Sequence, residues 1–294
     1  VRVAVTGARG QLGAAIVHEF SPFHDVVGFG RAELDVTDDR AVADAMARVK
    51  PDVVINCAAY NDVDGAEDHP VEALNTNAFA VRALARAAIE HGAALVHYST
   101  DFVFDGHASE PYRETDRPNP RSVYAASKLI GEWFAADAPR AYVLRVESLF
   151  GRAPGGPVSR GSVATIVSTL LAGGAARVFE DRIVSPTYVH DAARATRVLV
   201  ESNAEAGLYH CVNSGACTWL ELATELRNAL GSGATVPTRM ADVRTRAIRP
   251  RFCALSNAKL RAAGAPMPDW RDAVRRFLQE LRSQAAHQVA DRQA

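Results

Sequence analysis

Cysteine is scarce and scattered in this chain. Cys57, Cys211, Cys217 and Cys253 form no Cys-x-x-Cys pair and stand beside no group of histidines. That excludes a disulfide framework and a zinc site read from spacing, and it fits buried, reduced thiols. No apolar run approaches the ~20 residues a membrane span needs. No basic block or aromatic-basic interleaving occurs either: 33 Lys and Arg face 34 Asp and Glu, for a formal net charge of -1. No nucleic-acid or membrane partner is expected. No apolar signal core precedes the first strand pattern, so a soluble, cytoplasmic protein is expected. The sequence opens on Val1 and not on Met, and a trimmed N-terminus is the expectation.

What the chain has is 294 residues with 48% hydrophobic content, enough for one large domain or two modest ones. Short runs rich in Val and Ile at 1–5, 25–29, 52–56, 93–98 and 141–145 read as strands buried on both faces. Helical periods at 11–20, 38–49, 70–91 and 122–136 separate them. Thr37 before Asp38, Asp39 and Arg40 looks like an N-cap. The alternation predicts an α/β fold, a doubly wound parallel sheet of Rossmann type over 1–150, binding its ligand at the carboxyl ends of the strands. After a loop at 153–157, helices are expected at 161–171, 189–201, 219–230 and 269–281. Residues 151–282 are read mainly as a smaller α/β substrate lobe, some of whose segments return to the sheet. Residues 283–294 read as a frayed tail.

The first strand runs into Gly7, Gly10 and Gly13, with Arg9, Gln11 and Leu12 between them. Glycines here allow a tight turn, close approach of a pyrophosphate and an open helix N-terminus, the pattern of dinucleotide binding. The carboxylate that would bond a ribose 2′-hydroxyl at the end of the second strand is missing, and Arg31 follows that strand. A cation there attracts a 2′-phosphate, so NADP is favoured; an Arg31 that only stacks on adenine leaves NAD usable. Asp35 and Val36 are placed to reach the adenine edge. Cys57, Ala58 and Ala59, followed by Tyr60, offer a flat wall for a cofactor or merely tight packing. Asn77 is an amide in an apolar helix, and if buried it needs partners. Ser99 and Thr100 put hydroxyls at the end of the fourth strand, where a carbonyl would sit.

Tyr124 and Lys128 stand four residues apart on a predicted helix, which puts both on one face. A phenol titrates near ~10, and a neighbouring cation favours the phenolate, making Tyr124 a usable general acid or base. Two common residues at fixed spacing are weak evidence alone.

With the segments 6–13, 31–37, 51–60, 99–106, 111–114, 119–128, 185–187, 249–250 and 268–271 taken together, the chain resembles the extended short-chain dehydrogenase/reductases, over about residues 1–282. Within them it is most similar to the dTDP-4-dehydrorhamnose reductases. The resemblance implies reduction of a 4-keto-6-deoxysugar carried on a nucleoside diphosphate, with NADPH preferred and NAD possible. It implies that Tyr124 donates the proton to the C4 oxygen, that Lys128 holds the nicotinamide ribose and depresses the Tyr124 pKa, and that Thr100 bonds the carbonyl oxygen. It places Asp101, Phe102, Pro186 and Thr187 beside the sugar and Arg249 near the diphosphate. Relatives form dimers, so a homodimer is open; no cluster of ligands predicts a metal.

The chain departs from that pattern at 144–151, where Glu147 replaces a small hydroxyl residue and Ser148 stands in place of a pocket Trp. Either another aromatic fills the gap or the sugar differs. An epimerase or dehydratase, and a non-catalytic NADP-binding subunit like that of methionine adenosyltransferase, are the alternative functions.

Overall fold

The computed structural model describes residues 1–153 and 161–293, with side chains through residue 283. The expected loop at 153–157 lies, beyond Ala153, outside the described residues. In the first half, β1 (Arg2–Thr6), α1 (Gln11–Phe20), β2 (Asp25–Phe29), α2 (Asp39–Val49) and β3 (Val53–Asn56) alternate. Two short helices, α3 (Gly65–Asp68) and α4 (Pro70–Leu74), follow, and a π turn at Asn75–Phe79 leads into α5 (Ala80–His91). Then come β4 (Ala94–Thr100), a 3₁₀ turn at Asp101–Val103, α6 (Val123–Ala135) and β5 (Ala141–Val146).

The second half holds β6 (Leu149–Phe150), α7 (Ser162–Leu171), β7 (Ala175–Phe179), β8 (Ile183–Val184), β9 (Thr187–Tyr188) and α8 (Val189–Glu201). It continues with β10 (Gly207–His210), β11 (Cys217–Thr218), α9 (Trp219–Leu230), β12 (Ala234–Thr238), α10 (Ala258–Ala262) and α11 (Trp270–Gln293). The last helix runs past the expected end near 281 into the tail.

Six parallel strands form the main sheet in the order β10-β5-β4-β3-β1-β2. The chain winds outward from β1 to β2 and then to the other side through β3, so the switch point lies between β1 and β3. Successive strand residues face opposite layers. Val3, Val5, Ile55 and Val96 pack with α1 and α8, whereas Ala4, Val54, Leu95 and Val143 pack with α2 and α5. Each buried Val or Leu contributes about 1.5–3 kcal/mol relative to exposure. α8 and β10, both beyond residue 151, thus belong to the dinucleotide-type layer, and a cut at 150 separates residues that share one core. A second core joins α7, α9 and α11 through Leu170, Leu222, Trp270 and Phe277.

Two local expectations are corrected. The cap of α2 is Asp38, not Thr37: its Oδ1 accepts from the Arg40 and Ala41 amides at 3.0 Å each, while the Thr37 hydroxyl donates to Asp35. Ala at Asp38 would cost about 1 kcal/mol. The helix expected over 70–91 is not uniform, because the π turn widens it at Asn75–Phe79. Among the described residues, no helix is long and apolar enough to cross a membrane.

Candidate active site

The turn after β1 is built by glycine. Gly7 adopts φ +65°, and a Cβ on it would lie 2.6 Å from the Ala58 amide nitrogen and 2.7 Å from the Cys57 carbonyl oxygen. A Cβ on Gly13 would sit 2.2 Å from the Gly7 carbonyl oxygen, so Gly13 serves the packing of α1 on the turn. Gly10 caps α1 without a side chain, leaving the first amides of the helix open to an anion. These features fit a pyrophosphate held against backbone at the switch point.

A cleft of about 500 Å³ opens there, walled by Gly7, Arg9 and Gly10, by Arg31, Asp35 and Val36, and by residues 57–61. Arg9 pairs with Glu33, whose other oxygen accepts from the Gly30 amide at 2.9 Å. Glu33 was not anticipated, because it follows the strand by several residues and carries no motif. Thr37 donates its amide and hydroxyl to Asp35 Oδ1, holding that carboxyl below its usual pKa. Burial pushes the Cys57 thiol up, while the nearby Lys128 charge opposes it. That proximity connects the cleft wall to α6. The Leu12 side chain is buried in the core and the Gln11 side-chain amide donates to the Gly151 carbonyl at 2.8 Å, so these two side chains support the turn while their backbone amides open α1.

Asn77 is fully buried and grips Tyr60. Its Oδ1 accepts from the Tyr60 amide at 2.9 Å, and its Nδ2 donates to the Tyr60 carbonyl at 3.1 Å and to Ser127 Oγ at 3.0 Å. It fixes the wall from behind and does not itself line the cleft.

Tyr124, Lys128 and Glu132 repeat every four residues along the buried side of α6. Burial raises the Tyr124 phenol to about 12; a hydrogen bond with Thr100 opposes this and the Asp101 charge adds to it. The expected depression by Lys128 is therefore not met. The ammonium of Lys128 instead donates to the Tyr98 carbonyl at 2.5 Å, and burial lowers its pKa to about 8. Desolvation of the phenolate dominates, and the Lys128 ammonium is turned to Tyr98. Ser99 is likewise placed differently from expectation. Its hydroxyl donates to Glu132 Oε1 at 2.5 Å, and Glu132 also takes Arg145 through Nε at 2.8 Å and Nη2 at 2.7 Å. Ser99 thus belongs to a buried ion-pair network and not to the cleft.

Thr100 Oγ1 donates to Asp101 Oδ1 at 3.0 Å and accepts from the Phe102 amide at 3.2 Å. Phe102 meets Tyr124 edge-on, with ring centroids 5.7 Å apart. Glu147, at the end of β5, is buried and accepts from the Ser185 amide at 2.6 Å. Ser148 adopts φ +46°, a strained conformation for a residue with a side chain. Pro186 and Thr187 are buried, and the Thr187 hydroxyl donates to the Ser185 carbonyl at 3.3 Å. Arg249 is not a free cation: both its terminal nitrogens bond Asp64, at 2.9 and 2.7 Å. Two partners of this region, Arg182 and Cys253, carried no sequence signal. A second cavity of about 1150 Å³, bounded by Gly106, Glu180, Asp181 and Arg251, shares no residue with the cleft.

The arrangement can hold an elongated anionic cofactor from Arg31 across Gly7 and Cys57 toward Lys128, and present a carbonyl to Thr100 and a protonated Tyr124. The sequence model of the RmlD substrate binding domain matches residues 1–283. A probable dTDP-4,6-dihydroxy-2-methyloxan-3-one 4-ketoreductase of Streptomyces antibioticus is 37% identical, covering 96% of each chain. A dTDP-4-dehydrorhamnose reductase of Streptomyces griseus is 35% identical over 98% of this chain and 96% of its own. A crystal structure of dTDP-4-dehydrorhamnose reductase from Bacillus anthracis, in complex with NADP, superimposes with a TM-score of 0.89. It is 32% identical and covers 95% of this chain and 99% of its own.

Proposed function

Since the chain belongs to the RmlD substrate binding domain family, we propose that it is an NADPH-dependent reductase of a nucleotide-diphosphate 4-keto-6-deoxysugar. One observation carries this reading: Tyr124, kept protonated by burial, bonds Thr100 and packs with Tyr60, which lines the cleft beside the Gly7 turn. NADPH, when bound, supplies the hydride that reduces the C4 carbonyl. The chain's own residues do the rest. Tyr124 gives its proton to the C4 oxygen, and a phenol titrating near 12 is present as the acid throughout the physiological range. Thr100 hydrogen-bonds the same oxygen. Lys128 holds the cofactor ribose, and Arg31 meets the 2′-phosphate. Asp101, Phe102, Glu147 and Ser148 shape the sugar end, with Pro186 and Thr187 behind them. Arg249 is neutralised by Asp64 and does not act as a diphosphate clamp while so paired.

Glu147 in place of a small residue, together with the Streptomyces antibioticus relative named for a different dTDP-linked ketosugar, favours a sugar other than dehydrorhamnose. The test is the fall of NADPH absorbance with dTDP-linked 4-keto-6-deoxyhexoses generated in situ. Turnover of one of them supports the reading. NADPH binding without turnover of any would turn it to the non-catalytic alternative.

A further inference from the structure

Beneath Thr100, four side chains from distant parts of the sequence meet in a buried cluster. Asp101 follows β4, Glu147 follows β5, Arg182 precedes β8, and Cys253 comes from the segment that pairs with β8. All four are buried, at 3%, 2%, 8% and 0% exposure. One oxygen of each carboxyl and the Cys253 sulfur lie within 4.8 Å of one another. Arg182 donates to the Pro250 carbonyl at 3.1 Å and to Cys253 Sγ at 3.5 Å, and its guanidinium lies 5.2 Å over the Phe102 ring.

Each carboxyl has one oxygen engaged and one without a partner. Asp101 Oδ1 accepts from Thr100 and Glu147 Oε2 from the Ser185 amide, while Asp101 Oδ2 and Glu147 Oε1 are buried and unbonded. Two carboxyls face a single guanidinium here. Two ionised carboxylates at this separation, out of water, exceed what one cation balances, so a proton is retained. Cys253, with its thiol pushed well up by burial, stays neutral. The electrostatics agree with this: burial raises Asp101 to about 6, against the pull of Arg182. Burial and the Asp101 charge hold Glu147 well above the usual carboxylate range.

We propose that Asp101 and Glu147 hold one proton between them and that this proton, passed through the Thr100 hydroxyl, restores the Tyr124 phenol after each reduction. The inference rests on the reductase reading. Each turnover consumes one hydride and one proton. As the C4 oxygen gains its hydrogen, the Tyr124 O–H bond breaks and leaves a phenolate. The single proton of the pair passes from Glu147 to Asp101 and on to Thr100, as Thr100 gives its own hydroxyl proton to the phenolate. The pair is then one proton short and is refilled from solvent when product leaves; no residue changes oxidation state. Glu147 is thereby given a use that a small residue at its position cannot serve.

Three measurements test this. In wild-type protein at neutral pH, infrared spectra should show the C=O stretch of a buried protonated carboxyl, lost in Glu147→Gln, a variant that keeps an acceptor for the Ser185 amide. The same variant lets Asp101 ionise beside Arg182. The alkaline limb of its kcat profile should therefore move to lower pH by roughly one unit, with the KM for NADPH unchanged. A proton inventory of wild-type kcat in H₂O/D₂O mixtures should curve, reporting more than one proton in flight, and needs no variant to fold. Absence of the infrared band, a superimposable pH profile in Glu147→Gln, or a linear inventory would each overturn the relay. If wild-type protein reduces no dTDP-linked ketosugar, the reductase reading fails by itself, and the infrared band still decides whether the pair holds its proton.

Discussion

Lys128 donates to the Tyr98 carbonyl oxygen at 2.5 Å, one helical turn along α6 from Tyr124. The bond anchors a buried ammonium whose charge is costly: its pKa falls to about 8 from 10.5. Below pH 8 both folded and unfolded chains carry that proton, and the folded state bears the burial cost of roughly 3 kcal/mol. Between 8 and 10.5 the unfolded chain alone stays protonated, so stability rises with pH across that window. Lys128→Met removes the buried charge at similar length. Its thermal midpoint at pH 7 should rise by several degrees while NADPH binding weakens at least tenfold. Calorimetry and a fluorescence titration read the two effects; a lower midpoint with unaltered affinity would show that Lys128 is structural.

Tyr124→Phe keeps the ring that packs edge-on against Phe102 and deletes only the hydroxyl. NADPH affinity should hold and kcat should fall by roughly 10²–10⁴, about 3–5 kcal/mol of transition-state stabilisation. Unchanged turnover sinks the acid assignment.

Much of this was legible in the sequence because local chemistry dictated it. The glycines at 7, 10 and 13 had to serve a turn, and β2 and α1 fall at the residues their patterning implied. An amide such as Asn77 in an apolar helix had to find partners, and it found Tyr60. What stayed hidden depends on long-range pairing. Ser99 sits next to Thr100 in sequence, yet its hydroxyl is drawn to Glu132, which only the packing of α6 on β4 reveals. Arg182 and Cys253 meet Asp101 because residue 252 bridges to β8, a contact across about seventy positions with no periodic signature. Lys128 stands one turn from Tyr124 as the spacing implies, but spacing reveals neither the burial of the pair nor the bond of the ammonium to Tyr98.

Arg31 lies on the wall of the cleft, and the carboxylates near it are engaged, Glu33 by Arg9 and Asp35 by Thr37. Its charge is thus available to a 2′-phosphate at that end. Arg31→Asp should reverse the sign of the field and shift preference toward NADH by an order of magnitude or more in kcat/KM. An unaltered NADPH-to-NADH ratio would mean that Arg31 does not read the phosphate.

Asp64 and Arg249 join the loop after β3 to the segment before Pro250, and the Ala247 amide adds a third bond to the same carboxylate at 3.0 Å. Hydrogen bonds from Arg249 hold the Asp64 pKa down to about 2, from 3.8. The sign follows: the pair contributes stability above pH 3.8, and that contribution is lost as pH falls through 2. Both side chains are partly exposed, so solvent screening limits the contribution to roughly 1 kcal/mol. Asp64→Asn should therefore lower the midpoint only slightly at pH 7. It also frees the guanidinium of Arg249 from its carboxylate. A freed cation should bind the diphosphate of a nucleotide sugar, so KM for the sugar nucleotide should fall in Asp64→Asn at low salt and return at high salt. A KM that rises instead would show that the clamp itself shapes the pocket and that Arg249 must stay paired for substrate to fit.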